Sequence, residues 1–521
     1  MSPYDEAPAR RTATPWTEGR WGDQGDGRYV NPIVPADLSD FDCIRVGDEY
    51  YGITSTFGYS PGMAVLHSAD LVTWTVIGHA IDDLTRIGPE LNWDRMNRYG
   101  RGVWAGAIRH HAGRFWIYFA TPDEGFFMTT ATDPAGLWEP VHAMWRVEGW
   151  DDVCPIWDGD QPYLVATHFA DDYKIHLFAL TPDGRSLIHS SGTVIQQSAG
   201  SEASKLYAID GYYYHLYSEV RPEGRVVMMN RGTALHGPYE NRQLQHVDAS
   251  IDREPNQGSL ILGPDENWYW VTHHGTGGHW EGRVLSLLPV TWIDGWPVLG
   301  EVGADGIGSM VWSGAMPLGS RPRAALPATA TSDDFTGPTL KPEWEWHYQP
   351  RADKWSLDER PGALRLHAFP PLEPRNLTKV GNTLTQRAIR APGSTVTLRF
   401  ELGGLSDGQY AGLCHFAATY AGLGVTRADG VTALSFIVDG TRTAGPVIAQ
   451  DNIWFRSRWD LDGVSHFSYS LDGTTFADFG TPYQLTWGGY RGDRVGIQTY
   501  NPAGAGFVDV VSCDYTIVPP D

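Results

Sequence analysis

Apolar positions along this chain recur in short runs rich in Val, Ile, Tyr, Trp and Phe, separated by Gly, Asp and Pro. Regular helical periodicity is nearly absent, so the pattern predicts many short antiparallel strands and an all-β fold. One unit repeats: a strand, a tight turn holding Gly or Asp, then an aromatic strand. It runs through Cys43 to Tyr51 around Gly47, Ile108 to Ile117 around Ala112-Gly113, and Pro155 to Val165 around Asp158-Gly159. It returns in Leu206 to His215 around Asp210-Gly211 and in Ser259 to Val271 around Pro264-Asp265. A weaker turn signal follows each hairpin, as at Asp70 to Trp74 and Trp292 to Trp296. Units of about four strands spaced ~40–50 residues apart are the pattern of β-propeller blades. Five blades fit residues 31–312, preceded by an N-terminal extension over 1–30.

Between Ser313 and Ser332 the composition shifts to Pro, Ala, Gly and Ser, which predicts a linker over 313–332. Residues 333–521 resume alternating strands such as Thr395 to Phe400 without the blade period, predicting a two-sheet β-sandwich. Charge narrows the partners. With 62 acidic against 39 basic residues the net charge is −23, which repels phosphate backbones and anionic lipid. Neutral ligands are therefore expected, with no nucleic acid and no membrane surface. No apolar run approaches the ~20 residues that span a bilayer. The first 29 residues carry Asp5, Glu6, Arg10, Arg11 and Glu18 around no apolar core of the secretory kind. Cys43, Cys154, Cys414 and Cys513 lie far apart without a CxxC pair, so they read as buried thiols in a reducing cytoplasm. Self-association into a homo-oligomer is left open.

In a propeller the innermost strands surround a central channel, so matching positions near their starts converge at one mouth. Asp40 lies seven residues before Gly47, Asp152 seven before Gly159, and Glu202 nine before Gly211. One such acid is ordinarily a turn residue capping its own backbone. Three in matching register point to chemistry, because like charges crowded on one axis cost stability. Clustered carboxylates with a Trp-rich pocket (the chain has 22 Trp) suit glycoside hydrolysis, in which one acid protonates the leaving oxygen and another carboxylate activates water. Trp104 holds the pre-hairpin position of the second blade, and Phe57 and Trp74 are further candidate sugar platforms, each against the alternative of core packing.

The segment Asn31-Pro32-Ile33-Val34-Pro35-Ala36-Asp37-Leu38-Ser39-Asp40-Phe41-Asp42, followed by Ile44 to Asp48, resembles the opening of family 43 glycoside hydrolases. The resemblance continues through Trp150-Asp151-Asp152, Gly200-Ser201-Glu202, and Gly282-Arg283-Val284 leading into Leu288 to Trp292. A sandwich opening at Ser332-Asp333-Asp334-Phe335 is similar to the concanavalin-like accessory domain of longer β-xylosidase-like members. The resemblance implies Asp40 as general base, Glu202 as general acid, and Asp152 as the carboxylate that orients the acid and raises its pKa. Asp151 is the competing neighbour, set aside because Asp152 matches the spacing of Asp40. It also implies that Arg283 reaches the sugar pocket and that His273 stands near the axis, as substrate contact or as ligand of a hydrated calcium ion, with His274 facing away. No cofactor is required on this reading, and calcium dependence is open. Two departures stand out: Ser39-Asp40-Phe41 replaces the usual Pro-Asp-Pro, and Ala203-Ser204-Lys205 follows Glu202 in place of Gly-Pro.

The reaction expected is exo-acting, inverting removal of terminal β-D-xylose or α-L-arabinofuranose from plant cell-wall oligosaccharides. The alternatives are a dedicated α-L-arabinofuranosidase, a retaining fructosyl hydrolase, and a sugar-binding module without activity.

Overall fold

The computed structural model describes residues 16–247, 255–274, 279–318, 326–327 and 329–518. Residues 1–15 of the expected extension, and 319–325 and 328 of the expected linker, lie outside the described residues. No α-helix occurs among the described residues, and none of their helices is long and apolar enough to cross a membrane.

Five antiparallel sheets follow one another along the first 310 residues, opening on the strands Asp42–Val46, Gly106–His111, Asp151–Asp158, Glu202–Ile209 and Pro255–Leu262. Each is a meander of four strands, and the fourth gains two short strands, Glu301–Val302 and Gly308–Ser309, at its outer edge. Tight hairpins set the register: His111 pairs with Arg114 across Ala112-Gly113, and Ile209 with Tyr212 across Asp210-Gly211. All four turn residues have positive φ, between 49° and 79°, the backbone that two-residue hairpins demand.

The opening strands join into a closed ring through polar groups. Asp42 accepts from the Ile108 amide, Arg109 reaches Cys154 Sγ, and the Leu206 amide donates to the same sulfur. Tyr207 OH accepts from the Leu260 amide, and Ser259 Oγ donates back to Asp42. The arrangement is a propeller, with apolar side chains filling the space between neighbouring sheets. All four cysteines are buried free thiols.

Parts of the extension and linker are structured. Arg28–Val30 pairs with Ser313–Ala315 and with Gly22–Asp23. The Asn31 side chain donates through Nδ2 to the carbonyls of Leu287 and Val311, and its backbone N–H to that of Trp312. Backbone pairing, which composition does not report, thus clasps the first and last turns of the ring.

The C-terminal domain is a sandwich of two eight-stranded antiparallel sheets around a core that includes Trp346, Phe400, Leu413, Phe455 and Trp459. One of its sheets borrows a propeller strand: Glu345–His347 pairs with Tyr59–Ser60. Beside that seam Glu345 meets Arg387 and Arg494, each at 3.0 Å, and His79 of the propeller at 3.3 Å. Arg387 also donates to the Asp37 carbonyl. The sandwich is therefore fused to the face of the propeller on which the strands begin.

Candidate active site

Four positions at the starts of the opening strands adopt left-handed backbone: Asp40 (φ 58°), Asp152 (50°), Ala203 (64°) and Gln257 (52°). The last three sit in β-bulges, where pairing shifts between Asp151 and Cys154, Glu202 and Lys205, and Asn256 and Gly258. A bulge inserts one residue and re-aims its neighbours. Here the device brings three blades to one carboxylate, since the Ala203 amide donates to Asp152 Oδ2 at 2.7 Å and Gln257 Nε2 to Oδ1 at 2.9 Å.

Asp40 is buried and held on both oxygens, by Arg283 Nη1 at 2.8 Å and Ser55 Oγ at 2.6 Å. Its own amide donates to His273 Nδ1 at 2.8 Å, which fixes the left-handed turn. Glu202 is the open one of the three, with 29% of its side chain exposed and Arg225 Nη1 3.2 Å from Oε1. Burial first, then the negative charges of Glu202 and Asp40, push the Asp152 carboxyl up to about 7. Asp151 beside it is raised well above the ordinary range by burial, Asp152, Asp40 and Glu202, and its buried Oδ1 has no hydrogen-bond partner. The carboxylates thus form one electrostatic group.

A second ionic layer lies beneath. Asp42 is buried and accepts from Arg109 Nη1 and Ser259 Oγ, both at 2.8 Å, while buried Lys205 stands at 3.3 Å and also donates to the Gly106 carbonyl. Burial alone would raise the Asp42 carboxyl, but Lys205 and Arg109 outweigh it and hold it low. Sequence reasoning missed Lys205, Arg109, Arg225 and Gln257. A lysine inside the apolar strand Ala203-Ser204-Lys205-Leu206-Tyr207 was the signal available, since a buried lysine requires a partner.

The rim is aromatic and belongs to both domains. Trp104 is half-buried against Phe169 and against Tyr490 of the sandwich, ring centroids 6.1 and 5.7 Å away. The Arg283 guanidinium lies 5.5 Å from the Tyr490 ring, and Ser39 Oγ donates to the Tyr490 carbonyl. Phe57, also left-handed (φ 55°), exchanges backbone bonds with Val103 and is covered by Arg491 at 6.0 Å. Sequence thus brings Asp40, Asp152, Glu202, Arg283, His273, Trp104 and Phe57 to one end of the propeller, and the loop Gly488 to Asp493 completes it.

One candidate sugar platform falls elsewhere. Trp74 is core, edge-on to Phe41 at 4.9 Å with Nε1 donating to the Leu71 carbonyl. His274 turns from the mouth and stacks on Trp16 at 5.3 Å. As for calcium, His273 spends Nδ1 on the Asp40 amide, and burial, reinforced by Arg283, keeps its ring neutral. The neighbouring Asp42 is consumed by Lys205, Arg109 and Ser259, and among the described residues no three-ligand group gathers at the axis. Calcium takes six to eight oxygens, so these side chains do not fit a protein cage for it.

Comparison with known proteins agrees with this architecture. Residues 29–297 match the model of glycosyl hydrolases family 43, and residues 332–516 match that of the beta xylosidase C-terminal concanavalin A-like domain. A protein of Formosa agariphila named "Beta-xylosidase" is 32% identical, covering 96% of this chain and 94% of its own. A Bacteroides ovatus protein named "Non-reducing end alpha-L-arabinofuranosidase" is 32% identical over 65% of this chain and 64% of its own. Among solved structures, a bifunctional GH43-CE protein of Bacteroides eggerthii superposes with a TM-score of 0.84 at 27% identity, covering 96% of this chain and 64% of that one.

Proposed function

The chain belongs to glycosyl hydrolases family 43, and from this premise we propose that it is an exo-acting, inverting glycosidase releasing a terminal pentose from plant cell-wall oligosaccharides. The sugar is β-D-xylose, with α-L-arabinofuranose as the second substrate, in keeping with the names of both relatives. The observation that carries the reading is the division of labour among three carboxylates with different partners.

Asp40 is the general base. Arg283 and Ser55 fix its orientation, so that a free lone pair takes the proton of the attacking water. Glu202 is the general acid, open to the leaving oxygen. Asp152 stands beside it, its carboxyl raised first by burial and then by the negative charge of Glu202, and orients the acid. Inversion requires base and acid ~6.5–9.5 Å apart, which leaves room for water on the face opposite the leaving group. Trp104 and Tyr490 wall the subsite, and a cleft closed at one end by this residue of the sandwich would confine the enzyme to chain termini. No step is assigned to a metal. The four unpaired buried thiols support placing the reaction in a reducing cytoplasm.

Hydrolysis of aryl β-xyloside followed by NMR tests the reading. The first sugar signal is expected to be the anomer opposite to the substrate's; retention, or no cleavage of either aryl xyloside or aryl arabinofuranoside, would refute it. Glu202→Ala should regain activity on a leaving group that needs no protonation, and failure to do so removes the acid assignment.

A further inference from the structure

The second and third strands of the third sheet, Gln161–His168 and Lys174–Ala179, meet in a turn that carries three potential ligands outside the carboxylate group. His168, Asp171 and His176 each offer one ligand atom, and these atoms lie within 4.8 Å of one another. His168 turns Nδ1 toward Asp171 Oδ2 at 3.9 Å and stacks flat on Trp150, centroids 4.1 Å apart. His176 stands edge-on to the same Trp150, and its Nε2 is buried with no hydrogen-bond partner. A buried ring nitrogen ordinarily finds a partner.

We propose that His168, Asp171 and His176 form a binding site for a divalent transition ion of the zinc type. Two neutral imidazoles and one carboxylate suit Zn²⁺, Co²⁺ or Ni²⁺, whereas Ca²⁺ and Mg²⁺ demand oxygen. Zinc binds nitrogen at ~2.0–2.1 Å, so small side-chain rotations draw the three ligands inward, with water in the fourth place. One group opposes the ion: Lys174 Nζ sits 2.9 Å from each Asp171 oxygen. The metal competes with that ammonium for the carboxylate.

The site has a consequence for the pocket. Its turn contains Phe169, the ring that packs on Trp104, and passes through Asp172 and Tyr173, both left-handed at φ 49° and 54°. An ion tying the two strands together at the base of this turn holds Phe169 against the aromatic rim without entering the hydrolysis.

The experiment is calorimetric titration of Zn²⁺ into the full-length, tag-free protein stripped with EDTA, with Tm recorded on the same samples. One equivalent should bind and raise Tm as Zn²⁺ increases. His176→Gln and Asp171→Asn should each weaken binding by at least about tenfold. Lys174→Ala should tighten it, a change that a purely structural cluster does not predict, and His273→Gln should leave it unaltered. Asp171 and Lys174 lie on a partly exposed turn, so their variants decide the matter even if His176→Gln lowers the unliganded Tm. Absence of saturable binding, binding that survives Asp171→Asn, or binding lost in His273→Gln overturns the proposal.

Discussion

At Asp152 burial and neighbouring negative charge act together on one carboxyl. Its carboxyl is pushed up to about 7 by burial and by Glu202, while an unfolded chain holds an aspartate near ~3.9. Between those values the folded state binds the proton more tightly. The stabilising contribution is therefore complete below the lower value and lost as pH rises through the upper one. Asp152→Asn removes the charge and keeps an oxygen for the Ala203 amide. It should show a Tm advantage over the parent at about pH 8 that disappears by about pH 4, with kcat lowered by ~10²–10⁴. A Tm difference independent of pH would contradict the raised proton affinity. The acids were legible as carboxylates near the strand starts, seven, seven and nine residues before their turns, although the bulges align Asp152 with Ala203 and not with Glu202. Their partners were not: Arg225 and Gln257 reach them from different strands, and only the folded ring determines which amide or guanidinium arrives.

At the level of the strand, the same contrast separates hairpin from bulge. The turns at Ala112-Gly113 and Asp210-Gly211 announce themselves because positive φ favours Gly and Asp. The bulges at Asp152, Ala203 and Gln257 do not, since three unrelated residue types adopt the same left-handed backbone. Ala203 is the sensitive one. Its amide holds Asp152, and Gly stands at this place in the usual family pattern. Ala203→Gly should be accepted with activity within about twofold. Ala203→Val forces a β-branched side chain to φ 64°, a strain of ~1–3 kcal/mol. Its Tm and kcat should fall together, and a variant with the parent's Tm would show that the bulge relaxes freely.

Propeller-like repeats and alternating sandwich strands are both visible in the sequence, yet it hides how the two are joined. The seam is long-range: Tyr59–Ser60 extends a sandwich sheet, and Glu345 gathers two guanidinium groups from its own domain beside His79 from the other. Burial alone would raise the Glu345 carboxyl, but Arg387 and Arg494 outweigh it and hold it far below the ordinary range, so its contribution is present above that range and lost as pH falls. Glu345→Gln strands two buried cations and should cost about 3–5 kcal/mol, read as a lower Tm at neutral pH. The same seam delivers Tyr490 to the mouth, where it packs T-shaped with Trp104 and lies under the Arg283 guanidinium. Tyr490→Ala deletes the wall but leaves the fused sheets and the buried Arg491, stacked at 4.2 Å on Tyr59, in place. An aromatic contact of ~0.5–1.5 kcal/mol corresponds to about a twofold to tenfold rise in KM for a short oligosaccharide, with kcat nearly unaltered. If KM does not move, the loop from the sandwich serves docking alone and the closed end of the cleft must be built by the propeller's own loops.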